Sequence, residues 1–245
     1  MSTCLIVPCY NEAERLPVDH FVSFASDHPM IHFCFVDDGS KDNTYDVIVN
    51  LCSKVGEQAI PFRLEKNSGK AEAVRQGILH SLNKKYNRIG YWDADLATPL
   101  NAFFDLNQIL DERPEVELVM GARVKLMGRK IVRHEYRHYI GRVFATMASI
   151  SLRLPVYDTQ CGAKILRVNE YTKTIFEQPF ISRWIFDVEL ITRLVSQWKQ
   201  ENSENTHSRI YEFPLYEWVD IDGSKIRFRD ILKAGIDLFK IKWSY

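Results

Sequence analysis

The sequence predicts an α/β fold in which a mostly parallel sheet is flanked by helices. Short apolar runs alternate with segments of helical period over the first 125 residues. That alternation is the signature of parallel strands joined by right-handed crossovers. Four of the runs end in polar clusters: Pro8–Glu12, Asp37-Asp38-Gly39-Ser40, Asn67-Ser68-Gly69-Lys70 and Asp93-Ala94-Asp95. Ligands of such sheets bind beyond the carboxyl ends of the strands, so the clusters are expected at one edge.

The runs Cys4–Val7, Ile31–Val36, Pro61–Leu64, Arg88–Trp92 and Val116–Met120 read as strands. Asp42 or Asn43 is placed to cap a helix carrying Tyr45, Val47, Ile48 and Leu51. Ala71, Val74, Ile78 and Leu82 recur at helical spacing over Lys70–Leu82. Beyond residue 125 the pattern is less regular. A long helical stretch runs to about Leu152, and the tail from Lys225 to Tyr245 is amphipathic, with Phe228, Ile231, Leu232, Ile236 and Phe239 mostly on one side. One domain over 1–245 is the simplest organisation, with a regular half at 1–125 and a less regular half with the tail at 126–245.

Bulk properties narrow the function classes. With 46% hydrophobic and 26% charged residues the chain is ordinary for a globular protein, and its formal net charge is zero. Nothing in that balance points to nucleic acid. No apolar run approaches the ~18 residues of a transmembrane helix, and no signal peptide is expected. The five cysteines show no CxxC spacing, which fits free, buried thiols in a reducing cytosol.

Asp93-Ala94-Asp95 carries the most chemistry. Two carboxylates around one small residue, after a buried strand, suit a divalent cation holding a diphosphate. Hard cations take oxygen ligands and share them with phosphates. Pro8-Cys9-Tyr10-Asn11-Glu12 supplies a ring for a base and polar groups for a ribose, or else a helix entry capped by Asn11. Asp37 and Asp38 either accept hydrogen bonds from a nucleoside or form a turn in which Gly39 takes positive φ. Asn67-Ser68-Gly69-Lys70 precedes a helix whose free N–H groups suit phosphate, or it is a plain loop. Neither a P-loop nor a GxGxxG fingerprint is present, which argues against a dinucleotide-dependent oxidoreductase.

Between residues 121 and 142, Arg123, Lys125, Arg129, Lys130, Arg133, Arg137 and Arg142 face a single acid, Glu135. Such a run is commonly a solvated helix face. Here the charges share one sign and follow a strand that should end near the metal site. Aromatic stacking platforms are too sparse for a nucleic-acid surface. Asp158-Thr159-Gln160-Cys161-Gly162 and Phe186-Asp187-Val188-Glu189 add polar groups beside apolar runs. Asp187 and Glu189 are either a base and an acceptor ligand or salt-bridged structural acids.

In order, the blocks IVPCYNEAERL, FVDDGSKDNT, NSGKAEAVRQGI, DADLATPL and GARV resemble the signatures of inverting family 2 glycosyltransferases with a GT-A fold. DTQCGAKI and RWIFDVELI resemble more particularly the dolichyl-phosphate glucose synthases, relatives of the dolichyl-phosphate mannose synthases. The resemblance spans essentially the whole chain. It implies that Pro8, Tyr10, Glu12 and Asp38 hold the nucleoside, with Asp37 beside them. It makes Asp93 and Asp95 the ligands of Mg²⁺ or Mn²⁺, with Ala94 allowing close approach of the diphosphate. Arg123, Arg137, Gln160 and Lys164 become contacts to acceptor phosphate or donor sugar. The chain departs from the pattern at Ala71 and Leu96, where relatives often carry glycine, and in showing no membrane anchor.

The expected activity is metal-dependent, inverting transfer of a hexose, best matched by glucose from UDP-glucose, to a polyprenyl or dolichyl phosphate. The expected setting is cytoplasmic, with peripheral contact at the cytoplasmic membrane face. A phosphate monoester is largely dianionic at neutral pH and is already a nucleophile. Catalysis then rests on positioning and on charge neutralisation by residues such as Arg137. A hydroxyl acceptor would need a carboxylate base, with Asp187 as the candidate. The alternatives are a soluble glycosyltransferase acting on a sugar or protein hydroxyl, and a non-catalytic nucleotide-sugar-binding domain.

Overall fold

The computed structural model describes residues 1–201, 206–221 and 228–245, with the side chains of all of these except 135–138 and 228–232. In chain order the elements are β1 (Thr3–Cys9), α1 (Val18–Asp27), β2 (Ile31–Asp37), α2 (Thr44–Val55), β3 (Ala59–Arg63), α3 (Lys70–Ser81), β4 (Arg88–Trp92), α4 (Ala102–Glu112) and β5 (Leu118–Ala122). They continue with β6 (Lys130–Val132), α5 (Glu135–Leu152), β7 (Ala163–Arg167), α6 (Thr172–Glu177), α7 (Phe186–Gln200), β8 (Ile210–Pro214), β9 (Glu217–Val219) and α8 (Phe228–Ser244). These elements form two compact units, Met1–Leu96 with Ala163–Pro179, and Ala97–Gly162 with Phe180–Tyr245. The chain leaves the first unit after Leu96 and returns to it at Ala163 to add β7 and α6.

In the first unit the strands lie in the order β3-β2-β1-β4-β7. The first four are parallel, and β7 runs antiparallel to β4. The central strands are apolar on both faces, as expected when helices cover a parallel sheet: Leu5, Ile6, Val7, Phe33, Phe35 and Tyr91 are all buried. Phe21 of α1 meets Phe33 and Phe35 edge-on, with ring centroids 5.5 and 5.0 Å apart. Gly90 lets β7 approach, since a Cβ there would lie 2.2 Å from the Lys164 carbonyl oxygen. Register decides where the polar loops emerge. Cys9 sits opposite Asp37, and Asp37 opposite Arg63, so β1, β2 and β3 end level.

In the second unit β5 pairs with β8 and β6 with β9, both parallel. Helices α5, α7 and α8 pack around Ala148, Ile185, Val188, Ala234, Leu238 and Ile241. No helix among the described residues is long and apolar enough to cross a membrane.

Several expectations shift. The strand expected at Val116–Met120 begins at Leu118, because the Val116 N–H closes a turn onto Arg113 O at 3.0 Å. That expected at Pro61–Leu64 runs Ala59–Arg63. Asp42, not Asn43, meets the start of α2, accepting from the Thr44 N–H at 3.1 Å. All five cysteines are free and buried. The tail is helical, but the side marked by Ile236 and Phe239 faces solvent, whereas Ala234, Leu238 and Ile241 enter the core. The other three residues of that stripe, Phe228, Ile231 and Leu232, lie outside the described side chains.

Candidate functional site

The polar clusters of the first unit gather at the carboxyl edge of its sheet. The segment after β1 is not a helix entry. Asn11 takes φ +53°, its N–H donates to Ser40 Oγ at 3.0 Å, and its Oδ1 accepts from the Lys41 N–H at 3.0 Å. The Glu12 N–H donates to Thr44 Oγ1 at 2.8 Å. These bonds tie the loop after β1 to the loop after β2, and α1 starts only at Val18. Tyr10 and Glu12 are thereby held half-buried at the edge, directly beyond Pro8 and the end of β1.

Asp37 and Asp38 turn inward. Asp37 accepts from the Ser40 N–H at 3.0 Å, and Arg63 Nε lies 3.1 Å from its other oxygen without the alignment of a hydrogen bond. Asp38 accepts from the N–H groups of Ser68 and Gly69 at 2.7 and 2.8 Å and from Asn67 Nδ2 at 3.1 Å. Both carboxylates thus fix the loops that follow β2 and β3. Gly39 adopts φ +61°, and a Cβ there would lie 2.4 Å from Lys66 C, so the turn expected of this glycine is present.

Beyond β4, the Leu96 N–H closes a turn onto Asp93 O at 3.2 Å, with Leu96 at φ +51°. The turn leaves the Asp93 and Asp95 side chains half-buried while Ala94 is buried. Lys70, the first residue of α3, places Nζ 2.5 Å from Asp93 Oδ1. Arg15 pairs with Glu12 through Nε at 3.0 Å and Nη2 at 2.5 Å. Its guanidinium holds its proton more tightly than usual, chiefly through the Glu12 hydrogen bonds and also through the field of Asp95. Lys164 is fully buried on β7, with Nζ 5.2 Å from the Tyr91 ring centroid.

The first unit therefore joins Glu12, Arg15, Lys70, Asp93 and Asp95 in one cluster of alternating charge. Arg15 escaped the sequence reading, although its i,i+3 spacing from Glu12 was available as a signal. The donors fit a divalent cation. Two half-buried carboxylates supply hard oxygens, and among the described residues no group of three or more His, Cys, Asp or Glu could hold an ion by itself. Such an ion would complete its shell with oxygens from water or a diphosphate.

In the second unit, Arg123 is bound bidentately by Asp158, Nε to Oδ2 at 2.6 Å and Nη2 to Oδ1 at 2.8 Å, and its N–H donates to Oδ2 at 3.0 Å. Burial pushes the Asp158 carboxyl up, but the charge and hydrogen bonds of Arg123, aided by Arg133, hold it down at about 2. The N–H groups of Tyr157 and Asp158 donate to Glu212 at 2.7 Å. Gln160 sits on this support, its N–H donating to Asp158 Oδ1 at 3.1 Å. The basic run is thus partly occupied. Besides Arg123, Arg129 lies 3.4 Å from the Tyr216 ring centroid, Lys130 pairs with Glu217 at 2.5 Å, and Arg142 donates to Tyr157 O at 3.1 Å.

Asp187 is buried in the first turn of α7. Glu189 is fully buried and accepts from Arg193 Nη2 and the Ile181 N–H, both at 2.7 Å, and from Tyr245 Oη at 3.1 Å. The salt-bridged structural reading is the one its geometry gives, rather than that of an acceptor ligand. Arg137 lies on α5, and its side chain is outside the described residues.

Comparison with known proteins adds the family. Residues 4–171 match the model for glycosyl transferase family 2. The chain is 31% identical over 251 residues to the dolichyl-phosphate β-glucosyltransferase ALG5C of Trichomonas vaginalis, covering 98% of this chain and 70% of the relative. It is 31% identical over 260 residues to the human dolichyl-phosphate β-glucosyltransferase, covering 98% and 75%. Among solved structures it is similar to Mycobacterium tuberculosis glucosyl-3-phosphoglycerate synthase in complex with Mn²⁺, UDP-glucose and phosphoglyceric acid. That match has a TM-score of 0.68 at 15% identity and covers 99% of this chain and 79% of that one.

Proposed function

Since this chain belongs to glycosyl transferase family 2 and has the GT-A fold of those enzymes, we propose that it transfers glucose from UDP-glucose to a polyprenyl phosphate of the dolichyl type, with inversion. The observation that carries this reading is the cluster at the carboxyl edge of the first unit. There the Asp93-Ala94-Asp95 turn stands with Lys70 and Arg15, beside loops built from the motifs of β1 and β2. The names of the relatives over nearly the whole chain supply the sugar and the acceptor class.

In this reading Asp93 and Asp95 hold a Mg²⁺ or Mn²⁺ ion, which when bound supplies positive charge to the departing nucleoside diphosphate. Lys70 relinquishes Asp93 and turns to the phosphates. The exchange is cheap, because both partners are about a third exposed and an exposed ion pair contributes only ~0–1 kcal/mol. Ala94 leaves room for the diphosphate, and Tyr10 offers its ring to the base. Asp37 and Asp38 serve the nucleoside by fixing the loops that carry it. On the acceptor side, Arg123 and Gln160 are held by Asp158, and Arg137 is the further cation. No general base is required, since the acceptor phosphate is already anionic. In this reading a nucleotide sugar as donor and a lipid phosphate as acceptor suit a protein that works at the cytoplasmic face of a membrane.

The test is a donor–acceptor matrix: radiolabelled UDP-glucose, GDP-mannose and UDP-galactose against a short prenyl phosphate and soluble sugars, with mass analysis of the products. A glucosyl prenyl phosphate made only with divalent cation is the expected product. Transfer to a sugar hydroxyl, but to no prenyl phosphate, would replace the acceptor assignment with a soluble one.

A further inference from the structure

Helix α8 is apolar on two opposite sides. Ala234, Leu238 and Ile241 are buried against α5 and α7. At about 100° per residue, Ile236, Phe239 and Trp243 point the other way, and they are 59%, 64% and 78% exposed. Rings of Phe239 and Trp243 lie side by side, centroids 5.7 Å apart. Helix α5 repeats the arrangement. Ala145 and Ala148 face inward, while Tyr139, Val143 and Ile150 are 69%, 62% and 68% exposed along one stripe. A surface helix normally turns its polar side to water. Here both helices turn their second apolar side outward.

Among the described side chains, the exposed charges around the outer stripe of α8 have one sign. Lys233, Lys240 and Lys242 are exposed and flank the outer stripe of α8 on both sides. Among the described side chains of α5 and α8 the one carboxylate is Asp237, which is buried and accepts from Ser182 Oγ at 2.7 Å. An apolar strip with an aromatic pair, rimmed by cations and without an exposed acid among the described side chains of the two helices, has the chemistry of a surface resting on an anionic bilayer. Two copies of it would set lysines against lysines, which disfavours self-association through this face.

We propose that the outer faces of α5 and α8 dock on an anionic lipid bilayer, with Ile236, Phe239 and Trp243 entering the acyl boundary and the lysines reaching headgroup phosphates. The inference rests on the lipid-acceptor reading above for its purpose, though not for its geometry. Docking brings the enzyme to the plane in which a polyprenyl phosphate lies.

The intact protein is floated with vesicles of phosphatidylcholine and phosphatidylglycerol that contain no polyprenyl phosphate. Substantial flotation is expected at low salt, falling as salt screens the lysines. The triple variant Ile236→Ser/Phe239→Ser/Trp243→Ser should float at least tenfold less. Its thermal unfolding should match wild type, because these side chains are already in solvent. Quenching of protein fluorescence by brominated lipid should be lost in Trp243→Phe. Wild type that stays with the soluble fraction, or a triple variant that floats like wild type, overturns the proposal. So does a lipid-free dimer that the serine variant converts to monomer, since the face would then belong to a second copy. Transfer of glucose to a short water-soluble prenyl phosphate separates the two readings. Transfer without flotation removes the bilayer face alone. Flotation without transfer to any prenyl phosphate removes the acceptor alone.

Discussion

Replacing Asp158 by asparagine tests how the second unit holds Arg123. The carboxylate receives two guanidinium bonds and two backbone N–H groups, and both partners are close to sealed from water, with side-chain exposures of 12% and 8%. Its folded carboxyl titrates at about 2, against 3.8 when free. At 1.36 kcal/mol per pKa unit, that difference contributes about 2 kcal/mol to stability near neutral pH. Asparagine removes the charge and strands a buried guanidinium, an error that costs ~3–5 kcal/mol when a buried pair is broken. A loss of about 2–4 kcal/mol is therefore expected, measured by urea unfolding followed by circular dichroism. The folded carboxyl ionises more readily than the unfolded one. Its contribution is complete above the unfolded value and fades as pH falls toward the folded one, about half being gone near pH 3. The gap between wild type and Asp158→Asn should therefore stay constant from about pH 7 to 5 and narrow below about pH 4. A variant within ~0.5 kcal/mol of wild type at neutral pH, or a gap that widens in acid, would refute the reasoning.

Asp95→Ala should lower glucosyl transfer by about two orders of magnitude or more with little change in unfolding midpoint, and excess EDTA should do the same to wild type; full activity in EDTA would contradict the metal assignment. Asp187→Asn should cost less than about tenfold with a prenyl phosphate acceptor, because no base is needed; near-total loss with intact folding and acceptor binding would favour a hydroxyl acceptor. Gly39→Ala should destabilise by roughly 2–4 kcal/mol in the same urea assay, since its Cβ meets the backbone of Lys66 and Asn67 at 2.4–2.6 Å.

The alternation of strand and helix, and the four polar clusters, were legible because they depend on period and on strand-end chemistry, which are local. The structure brings them to one edge of the first unit as expected. Other features were decided elsewhere in the chain. Whether Asn11 capped a helix or turned a loop depended on Ser40, Lys41 and Thr44, about 30 residues away. Asp38 pointed to a ligand by type, yet its oxygens met the backbone of Ser68 and Gly69.

The sequence by itself determined the α/β class, the Asp93-Ala94-Asp95 turn after a buried strand, and the family, because these reside in short patterns that survive without neighbours. Only the tertiary structure decided which charges are committed and which faces are covered. Glu189 became a structural acid because Arg193 and Tyr245 fold onto it. The tail's apolar stripe was visible as a stripe, but not as an outward one. Periodicity reports that apolar residues share a side; packing against α5 and α7 chose Ala234, Leu238 and Ile241 for the core and left Phe239 and Trp243 in solvent.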